Sequence, residues 1–151
     1  MVGTQSLSRI DALEARLLTV TPQSVRQWGS MSPHEMICHL TDSFRAMLGQ
    51  RPVSATPWSP LRRRLVRLIA LHTPLPWPKG IETMPEVNPR RQGTRPSTFE
   101  ADRAQLLAVM RQFVAPDVPY APHPMFGTLT RQEWLTWTFR HVDHHLRQFG
   151  A

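Results

Sequence analysis

The stretch Thr130–Phe149, TRQEWLTWTFRHVDHHLRQF, decides how the chain is read. Thr130 followed three residues later by Glu133 is a capping box, the sequence signature of a helix start. On a helical wheel with His141 at zero, Leu135, Phe139, Val142, Leu146 and Phe149 fall on an arc of roughly 80° to 160°, which predicts the core face. His145 falls near roughly 40° and Trp134 near roughly 20°, so His141 and His145 share one shoulder of that face. His144 lies about 60° to the other side, toward Arg140 and Glu133. Two imidazoles four residues apart on one helical shoulder can reach the same divalent ion.

A third histidine occupies a matching place upstream. Ser32-Pro33-His34-Glu35 is another capping box, with proline at the first helical position, and it predicts a helix through Leu48 that stops at Gly49. With His39 at zero, Met36, Ile37, Leu40, Phe44, Met47 and Leu48 spread over roughly 60° to 180°, so His39 also sits on the shoulder of an apolar face. His34 falls near roughly 220°, on the polar back, and Cys38 about 100° from His39 toward the polar side. Cys38 is therefore expected as a surface thiol and His34 as a poor ligand. Three histidines along the seam between two packed helices would make a three-nitrogen site with open positions, the pattern of catalytic zinc or nickel. The pattern equally admits shoulder histidines that only hydrogen-bond across the helices, and periodicity does not choose between the two.

Three further helices complete the reading. Ser6–Thr19 carries the stripe Ile10, Leu13, Leu17 and Leu18 and ends before Pro22; Leu61–Leu71, LRRRLVRLIAL, is a short helix of arginines and an apolar stripe. Ser97-Thr98-Phe99-Glu100 reads as a third capping box, opening a helix through Leu106, Leu107, Met110 and Phe113. Nine of the 15 prolines lie between Pro52 and Pro96, and Pro74, Pro76, Pro78, Pro85 and Pro89 make helix improbable around the short one. No strand set is apparent. The expectation is an all-α fold: one domain over residues 1–151, a bundle of four long helices with a long Pro-rich crossover that carries a short extra helix.

Composition narrows the function. The chain has 151 residues and 40% hydrophobic content, enough for a real core, and no apolar run long enough to span a bilayer. The N-terminal segment has no apolar signal core and there is one cysteine, so a cytoplasmic protein without a disulfide is expected. Much of the net charge of +7 sits between Pro60 and Arg95, where Arg62, Arg63, Arg64, Arg67, Lys79, Arg90, Arg91 and Arg95 face only Glu82 and Glu86. Such a patch attracts phosphate backbones, anionic lipids or anionic small molecules. No nucleic-acid-binding motif accompanies it, and neither nucleic acid nor membrane is expected as the partner.

Other residues have plainer readings. Asp42 and Asp143 could orient a histidine, but solvated charge is expected of both. Trp28, Trp134 and Trp137 are expected in the core or at its rim. His123 lies in a loop that could cover a pocket, with a turn or cap role expected, and Glu133 is accounted for by its capping box.

The segments that carry these residues also resemble a known family. WGSMSPHEMICHLTDSFRAML (28–48) is similar to the start of the second helix in the DinB/YfiT-like superfamily, which delivers that family's first metal histidine. HPMFGTLTRQEWLTWTFRHVDHHLRQF (123–149) resembles an uncharacterised branch whose members end in HP-x-FG-x-L-T, EW and H-x-x-HH-x-x-QF; PWPKGIETMPEVNP (76–89) is similar to that branch's crossover. The resemblance implies a four-helix bundle, often a homodimer, with a divalent ion such as zinc or nickel on His39, His141 and His145. The superfamily's better-understood members are thiol S-transferases and a thiol-dependent isomerase, which implies S-transfer to a small-molecule substrate from a low-molecular-weight thiol such as bacillithiol or mycothiol; a metal-bound hydroxide would instead make a hydrolase. The alternative is a non-enzymatic metal- or small-ligand-binding bundle, a sensor or stress protein. No carboxylate stands out as a general base, and no individual catalytic residue is assigned.

Overall fold

In a computed structural model, which describes residues 2–151 and the side chains from Ser6 onward, the chain forms five α-helices. They are α1 (Val2–Thr19), α2 (Pro33–Met47), α3 (Pro60–His72), α4 (Phe99–Val114) and α5 (Arg131–Gln148), with a 3-10 turn at Pro85–Val87. No strand occurs among the described residues; a lone antiparallel bridge joins His123 and Gly127.

The helix starts follow their caps, with one exception. Ser32 accepts from the Glu35 amide and the Glu35 carboxylate accepts from the Ser32 amide; Thr130 and Glu133 do the same for α5. The expected box at Ser97–Glu100 does not form. The N-cap of α4 is Thr98, with no side-chain cap, because Asp102 reaches back to accept from the Ser97 amide at 2.8 Å and hydroxyl at 3.0 Å. Glu100 pairs with Arg103 instead.

The core is the sum of the apolar faces that periodicity selects. Ile10, Leu13 and Leu17 of α1 meet Met36, Ile37, Leu40, Phe44 and Met47 of α2, Leu106, Met110 and Phe113 of α4, and Leu135, Phe139, Val142 and Leu146 of α5. Each such side chain contributes about 1.5–3 kcal/mol when fully buried. Leu18 departs from the α1 stripe and remains 54% exposed. α2 packs most extensively on α4, α1 lies against α4 and α5, and α3 rests on α5. α3 buries only Leu71, leaving Leu61, Leu65, Leu68 and Ile69 exposed.

The contact of α2 with α4 overturns the expectation that Cys38 is a surface thiol. Cys38 is buried, with Sγ 3.7 Å from Asp102 Oδ2, and His34 Nε2 lies 2.7 Å from the same carboxylate oxygen. The polar side of α2 faces a polar strip of α4, where a wheel drawn on one helix assumes water. Asp42 is likewise fully buried. It accepts from the Thr94 amide at 2.6 Å, the Thr94 hydroxyl at 2.8 Å and Arg51 at 3.1 Å, fastening the end of the crossover to α2.

Candidate metal centre

His39, His141 and His145 converge although α2 and α5 stand 102 residues apart in the chain at the His39–His141 pair. His39 Nε2 and His141 Nε2 are 3.2 Å apart, and one nitrogen from each of the three rings lies within 4.8 Å of the others. Two nitrogens on one tetrahedral zinc at ~2.0–2.1 Å would be separated by about 3.3 Å. The three ring centroids are 4.8 to 5.2 Å apart.

Hydrogen bonds at the far side of two rings settle which nitrogen is free. His39 Nδ1 is 2.8 Å from the carbonyl of Val87; a carbonyl only accepts, so Nδ1 carries the proton and Nε2 keeps its lone pair. The Gln148 amide donates from Nε2 to the Trp28 carbonyl at 2.8 Å, which leaves Oε1 to accept from His145 Nδ1 at 3.0 Å. His145 Nε2 is thereby also the free nitrogen. Fixing the outer nitrogen in this way orients a metal-binding imidazole and its tautomer. No carboxylate hydrogen-bonds any of the three rings among the described residues.

The backbone maintains this support. Gly29 has φ +78°, and a Cβ there would collide with Gln148 Nε2, so the Trp28-Gly29 turn holds the amide that holds His145. Val87 sits in the 3-10 turn Pro85–Val87, which packs on α2.

Electrostatics keep the rings neutral. Burial lowers the pKa of all three, and neighbouring imidazoles push His141 and His145 lower still, well below the ordinary 6.5. Three uncharged imidazoles beside one another present lone pairs without proton competition at neutral pH.

A cavity of about 1110 Å³ opens beside them, walled by Trp28, Trp77, Trp137, Met84, Phe126 and the crossover. Trp137 packs on His141 at 4.4 Å between centroids, and Trp77 lies 5.9 Å from Trp137. Arg140 donates to the carbonyls of Thr73 and Leu75, pinning the crossover over this end of α5.

The remaining expected residues separate cleanly. His144 is half-buried against Trp28 and lies outside the three-nitrogen group. His123 takes the turn role: its Nδ1 accepts from the amides of Met125 and Phe126, and it also borders the cavity. Asp143 bonds Arg16 at 2.7 Å, and Trp134 is core. Glu133 completes its box and holds Arg67; burial would raise its carboxyl, but Arg67, Thr130 and His72 outweigh this and lower it to about 2. Gln148, Trp77 and the Val87 carbonyl were not singled out by periodicity, since a supporting amide, a loop aromatic and a backbone oxygen have no periodic signature. A second compact group, His34, Cys38 and Asp102, lies between α2 and α4.

No curated protein and no solved structure matches the chain. Residues 82–151, which include Val87, His141, His145 and Gln148 but not His39, match the model of a family described as "Protein of unknown function (DUF1569)".

Proposed function

We propose that the chain is a metal-dependent enzyme in which His39, His141 and His145 hold a divalent ion, zinc or nickel, in a four-helix bundle of the DinB/YfiT kind. The observation that carries this reading is the pair of outer hydrogen bonds, Val87 to His39 and Gln148 to His145, which turn free Nε2 lone pairs toward a common point. When bound, the ion supplies Lewis acidity and lowers the pKa of a water or thiol that it ligates.

The chain's own residues do the rest. The three imidazoles bind and stay neutral, Trp77 and Trp137 exclude water from one side, and the cavity admits a small-molecule substrate. Cys38, the single cysteine, is turned to Asp102 and is not part of the group formed by His39, His141 and His145. Any thiol chemistry therefore draws on a low-molecular-weight thiol, and S-transfer is the first reaction to test, with hydrolysis second. The cavity favours this over a closed, non-enzymatic metal holder. A nucleic-acid role for the crossover has less support: Arg67, Arg90 and Arg91 pair with Glu133, Glu35 and Glu82.

Elemental analysis of untagged protein beside a His39→Ala, His141→Ala, His145→Ala triple variant tests the site. About one equivalent of zinc or nickel in the parent and none in the variant is the expected result. A parent that stays empty after incubation with both ions overturns it. Titration of the loaded protein with thiols then separates transferase from hydrolase.

A further inference from the structure

Four arginines border the cavity: Arg51, Arg63, Arg90 and Arg91. Three are engaged by carboxylates. Arg51 bonds Asp42 at 3.1 Å, Arg90 bonds Glu35 at 2.6 Å and Arg91 bonds Glu82 at 2.9 Å. Arg63 differs. It is half-buried on α3 and forms no ion pair among the described residues. The one hydrogen bond of its side chain among the described residues runs from Nη2 to the Thr56 carbonyl at 3.3 Å. A guanidinium offers five N–H donors in a planar fork that matches an oxyanion, and most of that capacity is free. Its positive charge also reaches His123 across the cavity wall, helping burial to push that ring down to about 3. His123 thus stays neutral, with its proton on Nε2 because Nδ1 accepts from two amides, and brings no charge of its own to an anion.

A second unmet donor points the same way. The indole Nε1 of Trp28 is buried without a hydrogen-bond partner, and Trp28 borders the same cavity beside His144. An indole N–H can only donate, so both unmet groups call for acceptors. The rest of the wall is largely aromatic and aliphatic, with Trp77, Trp137, Met84 and Phe126. Aromatic walls of this kind favour flat apolar bodies.

We propose that the cavity binds an organic anion with a flat apolar body, its carboxylate, sulfonate or phosphate held by Arg63 and its body laid against Trp77 and Trp137. This rests on reading the cavity as the substrate chamber of the three-histidine centre. It replaces a diffuse attraction by the whole basic crossover with one recognition residue. Arg63 also borders a shallower outer groove with Arg64 and Arg67, so the test must tell the chamber from that groove.

The probes are two fluorescent naphthylamines of nearly equal body: anilinonaphthalene sulfonate, an anion, and N-phenyl-1-naphthylamine, which is neutral. Both are titrated into the protein and its Arg63→Gln, Arg63→Lys and Arg64→Gln variants, with uptake of zinc and of nickel measured on the same preparations. The expected result is that Arg63→Gln weakens the sulfonate by about 10-fold or more, as for a lost charged hydrogen bond, while the neutral probe is unchanged. Arg63→Lys should fall between, keeping charge without the fork, and Arg64→Gln should behave as the parent. Equal sulfonate affinity in parent and Arg63→Gln overturns the proposal. So does an equal loss in Arg64→Gln, which would put the anion in the outer groove, or an equal loss of the neutral probe, which would mean a damaged chamber. An Arg63-dependent sulfonate on protein that takes up neither zinc nor nickel supports the anion site while removing the metal reading; metal uptake with no Arg63 dependence removes the anion site alone.

Discussion

Helix α2 carries two histidine-containing clusters on opposite sides, and they are built on opposite principles. On one side, His34, Cys38 and Asp102 satisfy one another: the Asp102 carboxylate accepts from the Ser97 amide and hydroxyl and bonds His34 at 2.7 Å, with the Cys38 thiol beside it. On the other, His39, His141 and His145 have no carboxylate, and the outer nitrogens of His39 and His145 are tied away so that their inner ones turn toward the cluster. The first cluster closes an interface between α2 and α4. The second borders a cavity, and its inner nitrogens meet no group outside the cluster among the described residues. The composition of a cluster, His-Cys-Asp or His-His-His, says less about its use than whether its donors and acceptors are already consumed.

The largest effect should come from the open cluster. His141→Ala should abolish retention of zinc or nickel through gel filtration, yet leave the thermal midpoint of the metal-free protein within a few degrees of the parent. A large loss of apo stability would make His141 a packing residue and erase the contrast.

Asp102→Ala should do the reverse, costing about 2–3 kcal/mol in chemical denaturation because it strands buried donors, with metal content unchanged. Its pH dependence has a definite sign. Burial would raise the Asp102 carboxyl, but the bonds from Ser97 and His34 outweigh that and lower it. A lowered carboxylate stabilises the fold above the unfolded value near 3.8, and the contribution is lost as pH falls through the lower folded value. The stability gap between the parent and Asp102→Asn should therefore be full at pH 7 and close in acid below about 3.8.

Smaller again is the effect of the supports. Gln148→Ala should weaken metal affinity about 10- to 100-fold, the usual cost of removing an orienting partner, in a competition titration against a chromogenic chelator. Gly29→Ala should reproduce it by displacing the Gln148 amide. If Gln148→Ala binds metal as the parent does, His145 is oriented by something else. The least conspicuous prediction concerns Cys38. Burial and the neighbouring Asp102 charge raise its thiol to about 12, so labelling by a disulfide reagent at pH 8 should proceed only as fast as the protein unfolds. Rapid labelling of the folded chain would open the closed cluster.

The difference between α5 and α3 shows how far periodicity reaches. In α5 every residue assigned to the core face is buried, since a long amphipathic helix has one energetically sensible way to lie on a core. In α3 the apolar stripe is as regular, yet Leu61, Leu65 and Leu68 stay exposed. A short helix tethered between Pro-rich segments is placed by the chain that holds it.

The sequence by itself determined the all-helical class, two of the three capping boxes, the core faces of α2, α4 and α5 and the shoulder positions of His39, His141 and His145. Those depend on local spacing, and local spacing is written in the chain. Tertiary structure alone decided that Cys38 and Asp42 are buried among polar partners and that His34 pairs with Asp102, that Val87 and Gln148 orient the candidate ligands, and that Arg63 is the cavity arginine without a carboxylate. Each of these depends on a residue brought from elsewhere in the chain, and no helical wheel contains its neighbour.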